Sequence, residues 1–137
     1  MNNFLNRQQV VAIVDDDRSV LKGLQRVLQA SGIKTQVFSS AEAFLDNEGA
    51  GDVMCVILDI HLRGISGIEL RRRLSARGLQ TPVIFMTAFD TAATRKEASD
   101  VGCAAFLGKP ISGRVLIEAI RKAASPSHTV SHPRSAY

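Results

Sequence analysis

Acidic, hydroxyl and amine side chains directly follow four of the apolar runs in this sequence, and together they could carry phosphoryl chemistry. These residues are Asp15, Asp16, Asp17, Asp59, Thr87 and Lys109. Carboxylates held a few ångströms apart raise one another's pKa, and a hard divalent cation such as Mg²⁺ relieves that repulsion. A carboxylate left partly free can then attack phosphorus, while an amine and a hydroxyl offset the charge on the phosphoryl oxygens. The residue types therefore predict an aspartyl-phosphate site, provided that the fold brings them together.

The elements that must position these side chains alternate regularly along the chain. The runs predicted as strands cover residues 10–14, 35–38, 53–58, 82–86 and 104–107, and each is followed by a stretch with apolar residues at helical spacing. Five alternating strands and helices predict an α/β fold, with one parallel sheet, helices on both faces and right-handed crossovers. Ligands of such sheets bind at the carboxyl ends of the strands. The six side chains are therefore expected at one edge.

The chain of 137 residues has room for one domain. We expect an amino-terminal extension over residues 1–8, the domain over 9–124 and a disordered tail over 125–137, which has two prolines and no apolar period. No apolar run is long enough to span a membrane, and the first residues lack a secretory signal. A cytoplasmic location is therefore expected.

The net charge of +4 raises the possibility of nucleic-acid binding. The densest basic run is Arg71, Arg72 and Arg73, which point about 100° apart on a helix and have no aromatic residues between them. Glu69 can pair with Arg73 four residues away. A solvated helix face is the preferred interpretation, and no direct nucleic-acid binding is expected. The two cysteines, Cys55 and Cys103, lie in apolar runs and are expected to be buried thiols.

Four motifs at the predicted strand ends resemble the ordered signature of response-regulator receiver domains. They are Ala-Ile-Val-Asp15-Asp16-Asp17, Val-Ile-Leu-Asp59, Phe-Met-Thr87-Ala88 and Phe106-Leu-Gly-Lys109-Pro110. The resemblance runs from about residue 9 to residue 124 and is greatest to the receivers of nitrogen-fixation and nitrate-response transcription regulators. It implies a doubly wound, flavodoxin-like (βα)5 fold with five parallel strands in the order 2-1-3-4-5.

The resemblance also implies a role for each matching residue. Asp59 would be the phosphoacceptor, and Mg²⁺ (or Mn²⁺) would be held by Asp15, Asp16, Asp59 and the backbone carbonyl of His61. Lys109, Thr87 and Ala88 would contact the phosphoryl group, Thr87 and Phe106 would form a switch pair, and Pro110 would follow a cis peptide bond. Two positions depart from the family pattern, where Leu62-Arg63-Gly64 replaces Met-Pro-Gly and Gly108 replaces a larger residue. These departures bear on the rates of phosphorylation and hydrolysis.

The implied function is a single-domain response regulator. A sensor histidine kinase or a histidine phosphotransfer protein would phosphorylate it, and it would signal to a target protein through its fourth helix, fifth strand and fifth helix. Slow autodephosphorylation, without enzymatic turnover, and a monomer or transient dimer are expected.

The sequence also allows other functions. The chain could be the receiver fragment of a DNA-binding transcription regulator, or a phosphorelay intermediate. A phosphatase of the haloacid-dehalogenase type also uses an aspartyl nucleophile, but it generally needs a longer chain and a second acidic pair after Asp100, which this sequence lacks. A flavodoxin-like cofactor binder is disfavoured, because three aspartates in the first loop would repel a phosphate.

Overall fold

The structure is a computed structural model that describes residues 10–47 and 52–125. Five strands form one sheet: β1 (Val10–Val14), β2 (Lys34–Phe38), β3 (Cys55–Asp59), β4 (Val83–Thr87) and β5 (Ala105–Gly108). Five helices alternate with them: α1 (Arg18–Ala30), α2 (Ala41–Leu45), α3 (Gly67–Ala76), α4 (Ala92–Val101) and α5 (Gly113–Ala124). The strands are parallel and lie in the order β2-β1-β3-β4-β5. The predicted fold and strand order are confirmed.

The bounds of β1 agree with the prediction, and those of the other four strands differ from it by one or two residues. β3 begins at Cys55 rather than at residue 53, and it includes Asp59, which is in register with Met86 of β4. Pro82 was predicted to open the fourth strand, but it lies just outside β4, where its carbonyl accepts a hydrogen bond from Val56 N at 2.9 Å. Pairing between strands therefore sets the bounds, and apolarity alone misplaces them.

The core has two halves, because successive strand residues point to opposite faces of the sheet. On one face, strand side chains pack against α2, α3 and α4, with Phe44, Leu58, Leu70, Phe85 and Ala98 among the buried residues. On the other face, strand side chains pack against α1 and α5, with Ile13, Leu24, Ile57, Leu116 and Ile120 among them. The fully buried strands β3 and β4 lie between these layers.

Each helix begins at a side chain that accepts hydrogen bonds from its first turn, which satisfies backbone donors that have no partner within the helix. The capping residues are Asp17, Ser40, Ser66, Thr91 and Ser112. All five belong to the residue types that are favoured at this position.

The sequence suggested that the arginine run on α3 forms one solvated face, but only part of it does. Arg72 and Arg73 are exposed and bond Glu69, at 3.4 and 3.2 Å. Arg71 is half-buried, and its Nε donates to the carbonyl of Gly102 at 2.8 Å, next to α4. One of the three arginines therefore has a structural role.

Three expectations concern other parts of the chain. The proposed extension over residues 1–8 and the tail, apart from Ser125, lie outside the described residues. Within the described residues, no helix combines the length and the apolar character that a membrane crossing requires. Cys55 is buried as expected, but Cys103 is only half-buried.

Candidate functional site

The predicted site residues lie at the carboxyl ends of four neighbouring strands. Asp15 follows β1, Asp59 ends β3, Thr87 ends β4 and Lys109 follows β5. All four strands are parallel, so these ends meet at one edge of the sheet. The structure therefore brings together side chains that are up to 94 residues apart in sequence.

Three carboxylates form the acidic part of this edge. Asp15, Asp16 and Asp59 each offer one oxygen, and these three oxygens lie within 4.8 Å of one another. The side chains of Asp15 and Asp59 are 0% and 7% exposed, whereas that of Asp16 is 27% exposed. Two buried acids and one solvent-facing acid therefore border the same small volume.

Asp17, the third acid of the run, does not join the cluster. Its carboxylate accepts hydrogen bonds from Ser19 N at 2.9 Å and Val20 N at 3.4 Å, as the cap of α1. Its backbone N–H donates to Asp15 Oδ1 at 2.8 Å. Asp17 therefore has a local structural role and helps to orient Asp15.

Lys109 supplies the positive charge within the cluster. Its Nζ lies 2.7 Å from Asp15 Oδ2 and 3.5 Å from Asp59 Oδ2. Partial burial acts to lower the pKa of Lys109, but the hydrogen bond to Asp15 and the charges of both carboxylates outweigh it and raise that pKa above its ordinary value. The amine therefore stays protonated at neutral pH.

The Asp59 carboxylate is held in an unfavourable environment for its charge. Burial and the neighbouring charge of Asp15 raise the pKa of Asp59, and a hydrogen bond from the His61 backbone N–H at 3.2 Å, together with Lys109, only partly offsets them. The ionised carboxylate is therefore poorly compensated in the protein alone. A group that brings further positive charge would be stabilised here.

The predicted switch pair lies on the face of the sheet that packs against α3 and α4. Phe106 is in register with Phe85, and Thr87 is two residues beyond Phe85 on the same face. The buried Thr87 hydroxyl accepts from Phe89 N at 2.9 Å and donates to Phe89 O at 3.2 Å. Phe106 is half-buried beneath the Arg95 guanidinium, which lies 4.8 Å from its ring centroid.

The remaining predicted residues lie in the loops that follow β3, β4 and β5. Ala88 is exposed, and the peptide bond between Lys109 and Pro110 is cis, the isomer that the resemblance implies. The exposed His61 ring packs edge-on against Phe89, with the ring centroids 5.4 Å apart. The role of the His61 carbonyl as a cation ligand stays a prediction.

Comparison with known proteins identifies the family. Residues 11–121 match the response regulator receiver domain. This chain belongs to that family.

Individual relatives agree with this assignment. Response regulator protein TmoT of Ectopseudomonas mendocina is 35% identical over 118 residues, covering 86% of this chain and 54% of that protein. Transcriptional regulatory protein FixJ of Azorhizobium caulinodans is 39% identical over 111 residues, covering 81% and 53%. The crystal structure of FixJ-N superimposes with a TM-score of 0.76 at 35% identity, covering 84% of this chain and 92% of that one. The resemblance stated from the motifs is confirmed, and the receiver spans about half the length of these two curated relatives.

The acidic cluster of the receiver fits a divalent cation by the chemistry of its donors. Asp15, Asp16 and Asp59 present only carboxylate oxygens, which Mg²⁺ prefers, and they are close enough to share one ion. Burial and then the charge of Asp15 raise the pKa of Asp59 despite the nearby Lys109, so a further positive charge at the cluster would be stabilised. These three carboxylates would therefore hold the ion.

Two residues of the receiver site were not singled out for their contacts by sequence reasoning. Gly67 begins α3 so close to β3 that a Cβ placed on it would lie 2.3 Å from the Asp59 carbonyl oxygen. Arg63 bonds Asp16 through its backbone N–H at 3.2 Å. The only signal for Gly67 was its place at the end of a glycine-containing loop before a predicted helix, and the only signal for Arg63 was the departure from the family motif.

Proposed function

We propose that this receiver accepts a phosphoryl group onto Asp59 from a phosphohistidine of a sensor kinase or a phosphotransfer protein. One observation carries the proposal: a buried carboxylate at a strand end lies beside a second carboxylate, Asp15, with the Lys109 amine 3.5 Å away. No separate base is needed, because the attacking carboxylate has no proton to lose. We expect this chemistry in the cytoplasm.

The transfer step follows from this geometry. An Asp59 oxygen attacks phosphorus, an O–P bond forms, and the P–N bond to the donor imidazole breaks, with its electron pair remaining on the imidazole nitrogen. Lys109 offsets the charge that spreads over the phosphoryl oxygens. A divalent cation held by Asp15, Asp16 and Asp59 would supply further positive charge to the same oxygens. Ala88, which is small and exposed, leaves room for the donor imidazole.

Phosphorylation would bias the switch pair. The Thr87 hydroxyl would leave Phe89, to which it bonds in this structure, and donate to a phosphoryl oxygen instead. The space vacated by Thr87 lies on the same face of the sheet as Phe106, so this ring can turn inward. That change would reshape the surface formed by α4, β5 and α5, which is an equilibrium biased by a local charge event.

The output is a protein contact at that surface. The exposed part of α4 is charged, and Arg95 and Lys96 form ion pairs with Asp90 and Asp100 at 2.7 and 3.2 Å. A surface of this kind suits a transient partner and a monomer or transient dimer. A second candidate is a receiver within a longer transcription regulator, which is supported by the shares of TmoT and FixJ, 54% and 53%, that the match covers.

The test is acid-labile phosphate incorporation from a small acyl phosphate in the presence of Mg²⁺. Wild-type protein should take up one phosphoryl group per chain, and Asp59→Asn should take up none. Asp17→Asn is the matched control: it removes a neighbouring carboxylate but keeps a good helix cap, so incorporation should persist. Phosphate uptake by Asp59→Asn would refute the proposal.

Asp59→Asn and a further variant, Asp15→Asn, test the proposal that the protein is not a turnover enzyme. A phosphatase would release many phosphates per chain from a phosphomonoester, and Asp15→Asn would abolish that release whereas Asp59→Asn would not. We expect no such turnover, and only slow loss of the phosphoryl group from Asp59.

A further inference from the structure

Arg63 lies over the solvent-facing side of the acidic cluster. Its backbone N–H donates to Asp16 Oδ2 at 3.2 Å, and its Nε lies 3.7 Å from the same oxygen. The Arg63 side chain is 94% exposed, and that of Asp16 is 27% exposed. One residue therefore reaches the most accessible carboxylate of the cluster through both its backbone and its side chain.

The turn that carries Arg63 is held in place from two sides. Asp16 binds the turn at Arg63, and Glu42 Oε2 accepts a hydrogen bond from Ile65 N at 3.2 Å. Between them, Gly64 adopts a φ of 74°, a left-handed conformation that favours glycine. These contacts fix the backbone of the turn from which the Arg63 side chain extends toward Asp16.

We propose that Arg63 competes with the divalent cation for Asp16 and thereby lowers the cation affinity of the site. The inference rests on the proposed function, in which Asp15, Asp16 and Asp59 share one ion. A cation bound at either Asp16 oxygen experiences the repulsion of the guanidinium, whose Nε lies 3.7 Å from Oδ2. Arg63 is therefore a residue that sets the cation concentration at which the receiver becomes competent.

The size of the effect follows from the exposure of the pair. Ion pairs in which one side chain is nearly fully solvated contribute little, and they are screened by salt. Removing the Arg63 charge should therefore tighten cation binding by about two- to five-fold at low salt, with a smaller change at high salt.

The experiment measures cation binding to the unphosphorylated chain of 137 residues. Mn²⁺ is titrated while the free ion is followed by EPR, and Mg²⁺ is then added as a competitor. Arg63→Gln keeps the backbone N–H and most of the side-chain length but loses the charge, so it should bind both ions more tightly. Arg63→Lys keeps the charge and should stay close to wild type. Circular dichroism melts check that each variant folds.

Arg121→Gln is the matched control, because it removes the same charge from an exposed position near the end of α5. α5 begins at Gly113, shortly after Lys109 in the chain, and Arg121 lies about 12 Å farther along the helix axis, which exceeds the screening length of about 10 Å at 0.1 M salt. The cation affinity of the Arg121→Gln protein should equal that of wild type.

The outcomes separate this inference from the proposed function. If wild-type protein binds the ions and Arg63→Gln binds them no more tightly, the competition is refuted while the proposed function stands. An equal gain in Arg121→Gln would also refute it, by showing an effect of net charge alone. If wild-type protein binds neither ion, the proposed function itself is wrong.

Discussion

The close packing of Gly67 leads to a sharp prediction, because α3 packs at this point directly on the backbone of Asp59. A Cβ at this position would lie 2.3 Å from the Asp59 carbonyl oxygen and 2.9 Å from the Ile60 Cα. The Gly67 N–H also donates to the Ile60 carbonyl at 3.0 Å, which draws the two segments together. Gly67→Ala therefore forces backbone against backbone, where no flexible side chain can move aside.

The required displacement can be estimated from these distances. Ordinary contacts of a Cβ begin near 3.4 Å, so α3 and the end of β3 must separate by about 1 Å. A misplacement of about 1 Å at a reacting group can cost about 100-fold in rate. Overpacking of this kind also typically costs about 1–3 kcal/mol of unfolding free energy, which corresponds to roughly 3–15 °C in Tm for a domain of this size.

The assay combines phosphorylation rate and thermal unfolding. Gly67→Ala should accept phosphate from an acyl phosphate at a rate reduced by at least about ten-fold, with a lower Tm. Gly23→Ala is the matched control: Gly23 lies within α1 with no atom within 4 Å of its added Cβ, so alanine should raise stability by about 0.5–1 kcal/mol and leave the rate unchanged. A Gly67→Ala protein with wild-type rate and Tm would show that the close approach does not position Asp59.

Three further predictions concern groups that are buried or half-buried. Burial and, to a smaller extent, the charge of the adjacent carboxylate raise the pKa of Asp59 above 3.8, so the folded protein loses stability when this group ionises. Asp59→Asn should therefore increase Tm at pH 7 without Mg²⁺, and a gain in Tm that does not shrink toward pH 4 would contradict this. Burial raises the pKa of Cys55 to about 12, so iodoacetamide at pH 8 should leave Cys55 unmodified in the folded protein, as mass spectrometry would show. Arg71→Ala should lower the unfolding free energy by about 1–2 kcal/mol through its lost hydrogen bond, whereas Arg72→Ala should change it by less than about 0.5 kcal/mol in denaturant titrations.

The sequence was sufficient for the fold because the signals that specify it are local. Apolar runs such as that ending at Asp59 alternate with helical spacing, and alternating elements of this kind have few arrangements other than a parallel sheet covered on both faces. The same reasoning placed Asp15, Asp59, Thr87 and Lys109 at one edge, since parallel strands end together. Strand bounds were less accurate, because pairing with a neighbouring strand decides where a strand ends.

Tertiary structure decided which role each of several similar residues has. Asp15, Asp16 and Asp17 carry the same signal in sequence, yet the path of the chain after β1 buries the first, leaves the second facing solvent and makes the third a helix cap. In the same way, Lys109 pairs more closely with Asp15 than with Asp59, at 2.7 against 3.5 Å.

The contacts that distinguish this receiver site depend on tertiary packing. Arg63 reaches Asp16 across 47 residues, and Gly67 meets the Asp59 backbone only because α3 folds back onto the sheet. Periodicity and residue type do not predict these contacts, because the contacts depend on how separate segments pack against the same core. The residue types thus determined which chemistry is possible, and packing determined which atoms take part.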